Sequence, residues 1–245
     1  MKRILIFGAT STIAHETAKL LTGQGASFFL VGRQEARLKI LADDLKVRGA
    51  ARTAYAAADL NDFDQHAILI QEAERYLLGL DLVLIAHGTL NNQHACERDY
   101  AATEQALQTN FLSVVSLLTH LANRLEQQKG GCLVVISSVA GDCGRRSNYI
   151  YGTAKGAVSL FLQGLRSRLH PQGVRVITIK PGPVDTPMTA HLAKTALFVG
   201  PDTVAKGIIR AINQGHDVSY VPAFWRVIMF VLNAIPECWL KRLNL

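Results

Sequence analysis

Short apolar runs recur along this 245-residue chain, each separated from the next by enough residues for a helix. That alternation constrains the fold more than any other feature. The runs are Ile4 to Phe7, Ala26 to Val31, Asp81 to Ala86, Cys132 to Ser137 and Val174 to Lys180, with a weaker one at 53–57 and a candidate seventh at 218–221. Runs of this length, rich in Val, Ile and Leu, read as buried strands. The intervals read as helices: one ending near Leu21, then 34–48, 62–78, 98–128 and 149–169, with a loop and short helices up to about 215. Strand, helix, strand in succession means crossover connections and parallel pairing. The expectation is an α/β chain: a doubly wound, seven-stranded, mostly parallel sheet with helices on both faces.

Composition narrows the function classes. Apolar residues make up 49% of the chain, which argues against disorder. The four cysteines (Cys96, Cys132, Cys143, Cys238) are scattered and read as reduced thiols in a cytoplasmic protein. The eight histidines show no metal-ligand spacing, so no metal is expected. A formal charge of +7 suits an anionic cofactor, an acidic membrane surface or nucleic acid. No DNA or RNA recognition motif is present, so no nucleic-acid partner is expected. Met1-Lys2-Arg3 precedes an apolar run too short for a signal peptide, so a strand is the better reading. No repeat or linker interrupts the pattern. Residues 1–222 read as one domain, with 223–245 an apolar tail attached to it.

The first strand ends in Gly8 and opens into a helix through Ser11, Thr12, Ile13 and Ala14. A strand, a glycine turn and a helix N-terminus together offer free amides and a partial positive charge to a pyrophosphate. Thr12 and Ala14 stand where a strict motif has further glycines. Alone, the turn is equally a tight strand–helix connection with no ligand. Arg33 follows the second strand, where folds selecting NAD place an acidic residue. An arginine there suits a 2′-phosphate. NADP(H) is therefore the preferred cofactor, with NAD(H) possible.

Tyr151 and Lys155 are four residues apart in a predicted helix and so share a face. A phenol titrates near ~10, too high for easy proton exchange at neutral pH. A neighbouring ammonium is expected to lower it. Ser138 lies thirteen residues before Tyr151, just past a strand, at the edge where such sheets bind ligands. Ser137 is its rival.

Tyr151-x-x-x-Lys155, Ser138, Asn110, the Gly8 turn and Pro181-Gly182 stand in one order on one alternating chain. In this the sequence resembles the short-chain dehydrogenase/reductase family, from about residue 3 to 221, on a Rossmann-type fold. The resemblance implies Tyr151 as acid/base and Lys155 as the residue that holds the nicotinamide ribose and depresses the tyrosine pKa. It implies Ser138 as the bond to the substrate oxygen and Asn110 as the holder of a water linking Lys155 to solvent. Gly8, Ser11, Thr12 and Ile13 would line the pyrophosphate, Asp59 and Leu60 the adenine, and Ala86 to Gly88 its ribose. Pro181, Gly182, Val184 and Thr186 would flank the nicotinamide. His87 stands where the family has an Ala between Asn and Gly, and is expected to be structural or to lie on the adenosine side. The implied reaction is hydride transfer between a carbonyl and a secondary alcohol in a homodimer or homotetramer.

Three features bear on the substrate. Arg145-Arg146 falls between Ser138 and Tyr151; it suits a phosphate or carboxylate on the substrate, or is solvated loop charge. Residues 187–200, with Met188, His191, Leu192, Leu197 and Phe198, take the place of an apolar lid. Phe224 to Ile235 reads as a helix apolar on every side, too short to span a bilayer, with Pro236, Lys241 and Arg242 beyond it. Such a helix must bury itself against its own domain, a partner subunit or a membrane surface. The last would make the protein peripheral at the inner face of a membrane, and a lipid-linked carbonyl substrate would fit. Rival readings are a dinucleotide-binding regulator without catalysis and a membrane-surface protein on the same fold.

Overall fold

In a computed structural model the seven strands form one sheet in the order β3-β2-β1-β4-β5-β6-β7, every neighbouring pair parallel. The structure describes residues 2–23 and 25–243; Met1 and the last two residues of the 223–245 tail lie outside them. The strands are β1 (Arg3–Phe7), β2 (Ser27–Gly32), β3 (Arg52–Ala57), β4 (Leu82–Ile85), β5 (Gly131–Ile136), β6 (Val174–Pro181) and β7 (Val218–Val221). Strand order reverses between β1 and β4, so a crevice opens at their carboxyl ends. This is the Rossmann-type doubly wound sheet that the alternation predicts, and it is parallel throughout.

Two apolar layers hold it together, and β1 alone illustrates why. Leu5 and Phe7 point to one face, where α3 (Gln65–Leu77), α6 (Ser113–Gln128) and α7 (Tyr149–Leu169) cover them. Ile4 and Ile6 point to the other, under α1 (Thr12–Leu21), α2 (Glu35–Val47) and α8 (Pro201–Gln214). Side chains alternate along a strand, so a strand covered on both faces must be apolar at every position.

The predicted helix over 98–128 is in fact three pieces. Asp99 ends α4 (Gln93–Arg98) and caps α5 (Tyr100–Leu107), its side chain accepting from the Ala101 amide. A π turn over Gln108–Leu112 then joins α5 to α6. Of the loop and short helices expected before 215, the loop with a short turn at Pro187–Thr189 is present, but its last part is one helix, α8, started by Pro201 and amphipathic through Val204, Ala205, Ile208, Ala211 and Ile212. The apolar tail also departs from expectation. Its helix α9 (Trp225–Ala234) buries only Trp225 and Met229, against Val139 and Cys143, while Val227, Phe230 and Val231 are exposed. It is buried along one face and not all round, because it lies on the rim of the sheet with a single neighbouring surface. A short α10 (Glu237–Leu240) follows Pro236. Among the described residues no helix is long and apolar enough to cross a membrane.

Candidate active site

A cavity of about 680 Å³ runs along the carboxyl ends of the strands. It is lined by every residue that the sequence put forward for the cofactor and by three of the four put forward for catalysis: Gly8, Ser11, Thr12, Ile13, Arg33, Asp59, Leu60, Ala86, Gly88, Ser138, Tyr151, Lys155, Pro181, Gly182, Val184 and Thr186. Asn110 lies just behind the wall, fully buried.

At one end stands the β1–α1 turn. Gly8 has φ +73°, and a Cβ there would meet the His87 amide nitrogen at 2.5 Å. Only glycine lets the turn lie flat on the β4 loop. The first helical bond of α1 runs from the His15 amide to the Ser11 carbonyl, so the amides of Thr12 and Ile13 precede it. The Ser11 side chain makes no capping bond, and the first turn holds no acidic residue. That helix start is thus ready to receive an anion. Past β2, the exposed Arg33 and Arg37 both reach the cavity, and neither forms an ion pair among the described residues. Beyond β3, Leu60 is buried and Asp59 is exposed, its carboxylate accepting from the Asn61 amide.

His87 also lines the cavity, with its ring held by the start of α6. Its Nε2 lies 2.8 Å from Ser113 Oγ, and that hydroxyl donates to the Thr109 carbonyl, so the ring nitrogen must be the donor. Burial drives its pKa down to about 3, which keeps it neutral. It ties the β4 loop to the start of α6.

The other end holds Tyr151 and Lys155. Tyr151 lies in the first turn of α7 and Lys155 one turn later. Lys155 is 4% exposed; its Nζ donates to the Ile136 carbonyl at 3.0 Å and sits 5.8 Å from the Tyr151 ring centroid. Asn110 sits in the π turn with all its bonds made. Its Oδ1 accepts from the Thr89 amide, and its Nδ2 donates to Asn91 Oδ1 and the Ala106 carbonyl. A Cβ on Gly88 would lie 2.9 Å from Asn110 Oδ1 and 3.5 Å from Lys155 Nζ, so Gly88 leaves the space in which those two groups approach each other. Of the two serines, Ser137 is spent on structure: its hydroxyl donates to the Lys155 carbonyl and pairs with Ser159. Ser138 Oγ accepts from the Ala140 amide, and its hydroxyl bears on the Tyr151 phenol.

Three glycines set the spacing between Ser138 and the helix. Added Cβ atoms on Gly152 and Gly156 would fall 2.7 Å from the Ala140 carbonyl and 2.8 Å from the Gly141 carbonyl; one on Gly141 would fall 2.5 Å from the Gly156 amide. The turn after Ser138 therefore packs backbone to backbone on α7. Asp142 anchors that turn from behind, ion-paired to Lys180 and accepting from the Tyr220 hydroxyl at 2.7 Å.

The expected lowering of the tyrosine pKa is not what the fold produces. Desolvation pushes Tyr151 up to about 12, with the Ser138 hydroxyl pulling back, and lowers Lys155 to about 8. Burial, not the neighbouring ammonium, sets the direction of the Tyr151 shift.

Opposite lies the Pro181-Gly182 turn, held by the Trp225 indole packed on Gly182 and by a bridge from Val184 to Val199. Thr186 begins a short turn at Pro187–Thr189 in a reciprocal cap with Thr189. Met188 and Leu192 of the expected lid reach the cavity; Leu197 and Phe198 do not. Sequence reasoning overlooked Arg37, Thr10 and Trp225. Arg37 was legible, being one helical turn beyond Arg33; Trp225 was not, since only tertiary folding returns the tail to residue 182.

The chain matches the family model described as short chain dehydrogenase over residues 2–197. An uncharacterized oxidoreductase of Mycobacterium tuberculosis is 34% identical over 240 residues, covering 98% of this chain and 96% of that protein. Another, from Streptomyces coelicolor, is 31% identical over 245 residues, covering 99% and 96%. Among solved structures, a short chain dehydrogenase from Burkholderia cenocepacia in complex with NADP superposes with a TM-score of 0.83 at 21% identity over the whole of both chains. A Sphingobium yanoikuyae short-chain dehydrogenase in complex with NADPH gives 0.82 at 22%, covering 97% of each. The sheet order, the glycine turn and these matches together make the chain a member of the short-chain dehydrogenase/reductase family.

Proposed function

We propose that this protein is an NADP(H)-dependent oxidoreductase that interconverts a carbonyl and a secondary alcohol. The observation that carries the reading is the convergence of Ser138, Tyr151 and Lys155 on one cavity whose far end is an uncapped helix start behind Gly8. The residues present fit the cofactor. Gly8 and the amides of Thr12 and Ile13 suit the pyrophosphate, and Arg33 with Arg37 suits a 2′-phosphate where an acidic residue would repel it. The solved relatives that carry NADP or NADPH point the same way. When bound, the nicotinamide supplies or accepts the hydride.

The chain's own side chains handle the rest. Ser138 and Tyr151 donate hydrogen bonds to the substrate oxygen and stabilise the charge that grows there. Tyr151 gives that oxygen its proton in reduction and takes it back in oxidation. Lys155, fixed by the Ile136 carbonyl, orients the ribose and refills the tyrosine proton through the space that Gly88 leaves beside Asn110.

Tyr151→Phe tests the reading. Reduction of the best carbonyl substrate falls at least about 10³-fold, a loss of acid catalysis, while NADPH binding followed by fluorescence is unchanged. Undiminished turnover in that variant would remove the tyrosine from the mechanism. A protein that binds NADPH tightly yet reduces no carbonyl would be a dinucleotide-binding regulator instead.

A further inference from the structure

Three arginines among the described residues are not exposed: Arg3, Arg145 and Arg166. Two are fully engaged. Arg3 forms an ion pair with Asp81 and donates to the Leu78 carbonyl, and Arg166 donates to the Val176 and Asp217 carbonyls and to Thr178. Among the described residues the Arg145 guanidinium has no hydrogen-bond partner, and its Nε is buried. No carboxylate among the described residues pairs with it, and burial works against its charge. A half-buried guanidinium whose Nε has lost its water and found no partner costs stability, which an anion in the cavity would offset.

Arg145 stands seven residues after Ser138 and six before Tyr151, and it lines the same cavity. Its neighbour Arg146 faces a second cavity of about 860 Å³, which shares Leu90, Asn91, Asn148 and Leu192 with the first. The cofactor's phosphates already have Arg33, Arg37 and the start of α1. The anion for Arg145 must therefore come with the substrate. Resting on the oxidoreductase reading above, we infer that the substrate is an anionic carbonyl compound whose phosphate or carboxylate pairs with Arg145 while its carbonyl meets Ser138 and Tyr151. Five donors in a planar fork suit either group in bidentate fashion. The rest of the molecule extends into the adjoining cavity, whose Asn91 and Asn148 suit hydroxyl groups. Arg145 is then the residue that selects the substrate class.

The test has a binding arm and a turnover arm. In the first, inorganic phosphate and oxalate are titrated by calorimetry into the NADP⁺-saturated protein. Wild type and Tyr151→Phe are expected to bind one of the two anions, and Arg145→Gln at least about tenfold more weakly, the loss of one charged hydrogen-bonded contact. The anion that binds tells phosphate from carboxylate. In the second arm, NADPH oxidation is followed with dihydroxyacetone phosphate against dihydroxyacetone and with pyruvate against ethyl pyruvate. Wild type prefers the charged member by at least about tenfold in kcat/KM, and Arg145→Gln loses that preference. The melting temperature of Arg145→Gln stays level or rises. Anion binding equal in wild type and Arg145→Gln, or weaker NADPH binding in that variant, would overturn the inference, as would a marked fall in its melting temperature. The binding arm needs no turnover, so failure of the oxidoreductase reading leaves it intact.

Discussion

Lys155 keeps an ammonium almost wholly out of water, with one carbonyl as its bonded partner in the protein. Its pKa is depressed from 10.5 to about 8, so the unfolded chain binds more protons than the folded one between those values. Stability linked to this group therefore rises with pH from about 8 to about 10.5, and below 8 the burial penalty is complete. At roughly 1.4 kcal/mol per pKa unit the window spans on the order of 3 kcal/mol. Tyr151 runs the other way. Its pKa is raised to about 12, so its contribution is whole below pH 10 and is lost as pH climbs toward 12. Urea unfolding of wild type and Lys155→Met across pH 7 to 10 is expected to show the variant's relative advantage shrinking as pH rises. A constant difference across that range would mean that the ammonium is solvated. At this scale the sequence named the participants but mistook the electrostatics. Residue type and spacing put Tyr151 and Lys155 on one face; the depth of the cavity, which sets both pKa values, is a property of the packing around them.

The contact between α7 and the turn after Ser138 is the element on which the proposed acid/base geometry depends. Gly141, Gly152 and Gly156 let two backbones meet there, and carbonyl oxygens cannot move aside as a flexible side chain would. Gly156→Ala is expected to push the helix off the turn and lower kcat by about 10- to 100-fold, as sub-ångström misplacement does. It should cost about 1–3 kcal/mol of stability and leave the NADPH dissociation constant nearly unchanged. Steady-state kinetics beside a thermal melt check this; a fall in stability alone, with kcat kept, would make the glycines purely structural. Trp225→Ala tests the tail in the same way. Losing an indole that is 5% exposed and packed on Gly182 should cost about 3–5 kcal/mol and weaken NADPH binding through a looser Pro181-Gly182 turn. Although the amphipathic α8 read as short helices, most element boundaries were readable from periodicity. The π turn at 108–112 was not, because it answers to the four groups bonded to Asn110 and not to any local preference.

Across the whole molecule, cofactor choice should appear as linkage. A ligand at 100 times its dissociation constant stabilises the folded state by about 2.7 kcal/mol. NADPH is expected to raise the melting temperature well above the shift given by equal NADH, and Arg33→Ala with Arg37→Ala to erase the difference, weakening NADPH by about 10- to 100-fold. Equal shifts from both cofactors in wild type would unseat the two arginines. The sequence by itself determined the parallel α/β layering, since strands buried on both faces must be apolar at every position and crossover helices must separate them. It also determined most of the residues that gather at the strand tips, because these closely follow strands that run parallel, while Tyr151 and Lys155 arrive there on α7. Only the tertiary structure decided that Arg145 lacks a partner, that Trp225 returns to brace Gly182, and that one face of α9 stays uncovered. Each of these depends on which distant surface lies opposite a side chain, and local pattern carries no record of that.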